Sequence, residues 1–228
     1  MNQRNYQKEL EKILERIVEE KEQTSTVPTL FLHSCCAPCS SYVLKYLRDY
    51  FRITVFYYNP NISEQAEYRH RVEEQKRLIT IYNEQLLAGQ PGYAIQVVEG
   101  DYEPEKFFAF ATALKDVPEG GERCFRCFDL RLQKTVGLAK QGGFDYFATT
   151  LTISPLKNAV KLNEIGEALG EEYGVSWLPS DFKKKNGYRQ SVELSAEYGL
   201  YRQDYCGCIY SKLEREKERE THKTPCQT

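Results

Sequence analysis

Cys35, Cys36 and Cys39, then Cys124 and Cys127, then Cys206 and Cys208 gather seven of the eight cysteines into three short groups, and Cys226 stands alone. In a reducing compartment such clustering holds a metal or carries redox chemistry. Iron–sulfur clusters are held by thiolates, commonly four. The adjacent pair Cys35-Cys36 and the pair Cys124-x-x-Cys127, one helical turn apart, supply four. Tetrahedral zinc accepts the same four ligands, and spacing alone does not separate the two metals. Cys39 follows Pro38 near an expected helix start, where the helix dipole lowers a thiol's pKa. It reads as a fifth ligand, a redox thiol or a packing residue. Cys206-Gly207-Cys208 can close a small, strained and therefore labile disulfide, or chelate a second metal beside the first. Cys226 in the tail reads as inert.

Other chemistry is sparser. Lys183, Lys184, Lys185, Tyr188 and Arg189 form a basic stretch with interleaved aromatic residues. Cations neutralise phosphates and rings stack on unpaired bases, so the stretch is a candidate RNA contact, although most such runs are solvated faces. His33, at the end of an apolar run, reads as a satisfied core histidine. His70 and His222 lie in charged stretches and read as surface.

These groups need elements to position them. Leu10, Ile13, Leu14, Ile17 and Val18 recur at helical spacing, which predicts an amphipathic lead-in helix over 6–22. Strands are expected at 29–33, 52–58, 93–98, 144–149 and 175–178. Helices are expected after Pro38, at 64–87, 103–110, from Cys124 towards Gln141, at 158–173 and at 191–198, with a charged helical end at 213–220. Strands alternating with helices predict an α/β fold with a parallel sheet and right-handed crossovers. In such sheets the site lies beyond the carboxyl ends of the strands, and here the loop after the first strand carries Cys35 and Cys36.

Composition limits the function classes. The chain has 228 residues, of which 41% are hydrophobic, enough for one domain with a core. With 31 basic and 33 acidic residues there is no global basic field, so nucleic acid must be met by a local patch. No apolar run is long enough to span a bilayer, and the charged N-terminus lacks the apolar region of a signal peptide. A cytoplasmic location and no membrane partner are expected.

Six segments together resemble the cobalamin-independent epoxyqueuosine reductases. They are residues 33–39 (HSCCAPC), 57–62 (YYNPNI), 124–127 (CFRC), 150–157 (TLTISPLK), 182–194 (FKKKNGYRQSVEL) and 198–210 (YGLYRQDYCGCIY). The resemblance runs from about residue 30 to residue 211. It implies a Rossmann-like parallel sheet of the nucleotide α-hydrolase (HUP-like) type with helical additions. On that basis 1–28 would be an N-terminal helix, 29–211 the catalytic domain and 212–228 a charged tail. The implied substrate is tRNA bearing epoxyqueuosine at the anticodon wobble position. The implied reaction is two-electron removal of the epoxide oxygen to give queuosine, with electrons from a donor the sequence does not identify. The implied cofactor is a [4Fe-4S] cluster on Cys35, Cys36, Cys124 and Cys127. Cys206 and Cys208 would be a redox-active disulfide or, with Cys39, ligands of one additional iron. Tyr58, Asn59 and Asn61 follow the second strand and are candidates to line the pocket. The competing expectation is a zinc-stabilised tRNA-binding module, or a nucleotide-dependent tRNA-modifying enzyme on the same fold. The latter needs a glycine-rich phosphate loop where this chain has cysteines.

Overall fold

Apolar runs without alternation, such as Leu30-Phe31-Leu32, suit strands buried on both faces, and that is how they are used. The computed structural model describes residues 4–223, so Cys226 and the side chain of His222 lie outside the described residues. The strands are β1 (Thr29–Ser34), β2 (Arg52–Tyr57), β3 (Gln96–Glu99), β4 (Tyr146–Thr149) and β5 (Ser176–Trp177). The helices of the first half are α1 (Tyr6–Thr24), α2 (Ala37–Leu47), α3 (Gln65–Leu87) and α4 (Pro104–Ala111). Those of the second half are α5 (Glu122–Gln141), α6 (Ala159–Tyr173), α7 (Gly187–Glu197) and α8 (Ile209–Lys223). Short 3-10 turns occupy Thr112–Leu114 and Thr150–Ile153.

The five strands form one parallel sheet in the order β3-β2-β1-β4-β5. This is the Rossmann-like arrangement expected, with the switch in strand order between β1 and β4. Successive strand residues face opposite sides. Leu30 and Leu32 of β1, Ile53 and Val55 of β2 and Ala148 of β4 therefore enter one core with Leu44, Leu47 and Leu78 from α2 and α3. Phe31, Phe56 and Phe147 enter the other, with Phe128, Leu132, Leu162 and Leu169 from α5 and α6. The lead-in helix α1 joins the first core through Leu10, Leu14 and Ile17. Among the described residues, no helix is long and apolar enough to cross a membrane.

Several element limits differ from expectation, each for a local reason. β3 begins at Gln96 because the Ile95 amide donates to Asn83 Oδ1 and its carbonyl accepts from Asn83 Nδ2, both at 2.9 Å, leaving neither for a strand partner. β4 begins at Tyr146 because the Phe144 amide still donates to Ala139 at the end of α5. α7 begins at Gly187, four residues before the expected start, because the Asn186 carbonyl already accepts from the Gln190 amide at 2.9 Å.

Candidate active site

All seven described cysteines line one cavity of about 510 Å³. The first group follows β1 at the switch in strand order. Cys36 is the N-cap of α2, with Pro38 in the first turn and Cys39 just behind it. The second group opens α5, where the Gly120 amide donates to Cys124 Sγ at 3.3 Å. The third immediately precedes α8. Three helix N-termini thus supply thiols to one space, each with a partial positive charge that favours thiolate. Gly207 sits at φ +104°, and a Cβ there would lie 2.7 Å from Ile62 Cγ1, so this loop needs glycine between its cysteines.

The thiols are close but unbonded. Cys35 Sγ is 3.8 Å from Cys36 Sγ, and the ligand atoms of Cys35, Cys36 and Cys39 all lie within 4.8 Å of one another. Cys206 Sγ is 3.4 Å from Cys208 Sγ. The lowered thiol of the first group is Cys36, held down by hydrogen bonds with Cys35 and Cys39. Cys35 is pushed up to about 11, chiefly by its bond to Cys36. The expected dipole effect on Cys39 is not what dominates. Its bonds to Cys35 and Cys36 push it well above the ordinary thiol value. Burial pushes Cys127 up to about 11.

The loop after β2 ties the three groups together. Asn59 Nδ2 donates to the Ser34 carbonyl at 2.9 Å, and its Oδ1 accepts from Arg131 at 3.3 Å. Arg131 in turn donates to the Cys127 carbonyl at 3.1 Å. Asn61 Nδ2 donates to the Cys206 carbonyl at 3.1 Å, and the Ser63 amide donates to the Gly207 carbonyl at 3.0 Å. Of the candidates Tyr58, Asn59 and Asn61, only Asn61 lines the cavity. Tyr58 turns away and donates to Glu103 at 3.0 Å. His33 is a satisfied core residue, bonded to Thr149 Oγ1 at 2.8 Å and to the Tyr58 carbonyl at 3.0 Å, and burial pushes its pKa down to about 3.

The cavity wall is cationic. Arg71, Arg123, Arg131, Lys157 and Arg202 face it, against Glu119 and Asp204. Arg71 pairs with Glu67, Arg123 with Glu214 and Lys157 with Glu119. Arg131 is 4% exposed, and among the described residues it has no carboxylate partner. A buried cation needs a counter-charge. Thiolates holding a metal group would supply it, so the residues present fit an anionic thiolate-bound centre. The volume is that of a ligand site rather than of a single ion.

Sequence reasoning missed this wall. Arg71, Arg123 and Arg131 sit in charged helices where nothing marks an inward arginine. Lys157 carried a usable signal, its place in the loop beyond the carboxyl end of β4. The basic stretch is reached only in part. Tyr188 lines the cavity and is 41% exposed at its rim. Lys183 pairs with Asp181, Lys185 with Glu11 and Arg189 with Glu193, while Lys184 is exposed with no ion pair among the described residues.

Comparison with known proteins adds relatives. The family model described as "Epoxyqueuosine reductase QueH" matches residues 30–214. A Streptococcus pyogenes protein named epoxyqueuosine reductase QueH is 42% identical over 201 residues, covering 88% of this chain and 77% of its own. Its namesake from Staphylococcus epidermidis is 39% identical, covering 90% and 85%. That from Thermotoga maritima is 36% identical, covering 83% and 93%. Among solved structures, NMN synthetase from Francisella tularensis aligns over 99% of both chains with a TM-score of 0.36 and 12% identity.

Proposed function

The chain belongs to the epoxyqueuosine reductase QueH family, and from that footing we propose that its thiol-lined cavity is where tRNA-borne epoxyqueuosine loses its epoxide oxygen by two-electron reduction to give queuosine. The observation that carries this reading is the convergence of seven thiols on one cavity walled by buried cations. We assign Cys35, Cys36, Cys124 and Cys127 as ligands of a [4Fe-4S] cluster, and residues 29–211 as the catalytic unit between the lead-in helix and the tail. No cobalamin is needed in this scheme.

When bound, the cluster supplies electrons one at a time, drawn from an external donor. The chain's own residues do the rest. Arg131 and Arg71 lower the cost of burying negative charge among the thiols. Asn59 and Asn61 fix the spacing of the three cysteine groups. Leu151, Ile153 and Phe128 make part of the wall apolar and exclude water. Tyr188 at the rim offers a ring on which an unstacked base can lie, and Lys184 offers a phosphate contact. The remaining thiols take one of two roles. Cys39, Cys206 and Cys208 hold one further iron, or Cys206 and Cys208 cycle between dithiol and disulfide.

The test is direct. Protein purified without oxygen is expected to be brown, with iron and sulfide in near-equal amounts, and to convert epoxyqueuosine to queuosine in tRNA when electrons are supplied. Replacing any of Cys35, Cys36, Cys124 or Cys127 by Ser should bleach it. In Cys208→Ser, loss of about one iron per chain at constant sulfide selects the extra-iron role, and an unchanged ratio with lost turnover selects the disulfide. Colourless protein with stoichiometric zinc would overturn the cluster assignment.

A further inference from the structure

Lys157 is the one lysine among the cavity-lining residues. Its side chain is 9% exposed, and Nζ lies 2.7 Å from Glu119 Oε1. Glu119 is itself fixed, accepting from the Ser211 hydroxyl at 3.1 Å and lying 3.6 Å from Arg215. An ammonium carries three donors, and among the described residues the structure employs one of them, on Glu119. The cation is therefore anchored by Glu119 and has donors to spare at the cavity wall.

An epoxide oxygen departs only if something takes up its charge, and removing it needs two electrons and two protons. Both C–O bonds break, the electron pair supplied by the reductase's donor becomes the second bond of an alkene, and the oxygen leaves as water. The wall offers few sources for the first proton. Arginines do not release theirs near neutral pH. Glu119 is committed to its ion pair, and Asp204 pairs outward with Arg219. Tyr188 stands at the exposed rim, the Tyr205 ring is engaged by the Arg71 guanidinium, and the thiols have the metal and redox roles assigned above. Resting on the functional reading above, we propose that Lys157 is a catalytic residue: it hydrogen-bonds the epoxide oxygen and gives it the first of its two protons. The second comes from water, and the neutral amine regains its own from water between turnovers. Glu119 is the positioning residue that holds the ammonium in place.

Three variants test this: Lys157→Met, Lys157→Arg, and Lys157→Met combined with Glu119→Gln. The last removes the carboxylate that the first would leave buried and unpaired. Each is assayed on epoxyqueuosine-containing tRNA without oxygen, alongside iron, sulfide, the absorption spectrum and tRNA affinity. All three are expected to lose roughly 10²–10⁴-fold in kcat, the usual worth of a general acid. KM, tRNA affinity, iron and sulfide should stay as in wild type. Lys157→Arg keeps the charge but not the releasable proton, so it separates proton donation from charge alone. Wild-type turnover in that variant would overturn the proposal, and so would loss of iron from the double variant, which would make Lys157 a holder of the metal group. An inactive wild type supplied with electrons would instead sink the functional reading, and this inference with it.

Discussion

Asn59 uses both ends of its amide to keep two thiol groups in register, one on the Ser34 carbonyl and one on Arg131. It is 1% exposed, so neither end can turn to water. Asn59→Leu strands a carbonyl and half of a guanidinium, at a cost of roughly 1–3 kcal/mol. At about 2–4 °C of Tm per kcal/mol for a chain of this size, thermal unfolding should register it. Iron and sulfide per chain should both fall in the same variant, because Cys35-Cys36 and Cys127 lose their common strut. Wild-type Tm together with wild-type iron would refute the strut. The residue scale is also where the sequence is most uneven as a guide. Thiols cannot hide, since their spacing is itself the signal. An inward arginine can hide, because Arg71 and Arg131 share their helices with outward charges such as Arg69 and Arg126. Only packing decides which way each one faces.

Elements carry the site by their ends rather than their middles. Gly187 illustrates how tightly one end is set. A Cβ at this position would collide with the Phe182 carbonyl oxygen and lie 2.6 Å from Tyr42 Cε1, while Lys185 and Asn186 before it hold positive φ. Gly187→Ala should therefore displace the start of α7 from α2, the helix bearing Cys36 and Cys39. Overpacking of this kind costs about 1–3 kcal/mol or more. A denaturant midpoint equal to wild type would show that the turn relaxes freely. The strand and helix sequence was legible because long helices and continuous apolar runs declare themselves. The parallel sheet and the place of Cys35 and Cys36 beyond the carboxyl end of its first strand followed from that; that this end is also the switch point did not. The limits of β3 and α7 were not legible. The first is set by the Asn83 side chain, which binds the Ile95 backbone from another element, and no local pattern encodes such a partner; the second is set by the turn before it, where the Gly187 amide donates to the Lys184 carbonyl. Within the basic stretch, the neighbouring Asp181 pairs with Lys183 and Glu11 of α1 pairs with Lys185, and only the second partner comes from another element.

Across the whole molecule, most of both cores lies away from the cavity, which shares only Phe128, Leu151, Ile153 and a few cysteines and neighbours with them. Leu10, Leu32, Leu44 and Val55 on one face, and Phe31, Phe147, Leu132 and Leu162 on the other, owe nothing to a bound metal. Small zinc modules are unfolded until the metal arrives, and this chain is not of that kind. Protein stripped of metal by a chelator without oxygen should keep its far-UV circular dichroism and a cooperative thermal transition. A stripped chain that loses its helical signal would refute the separation of fold from site.

The three cysteine groups also have an order in time. Synthesis runs from residue 1 upward, and domains begin to form from that end. The strands and the first two thiol groups exist before residues 206–208 dock against Asn61 and Ser63. A metal group delivered in that interval enters an open trough. Delivered later, the metal group proposed above would meet a finished rim that includes the exposed Leu156 and Tyr188, so the moment at which the last loop closes would bear on how the site is filled.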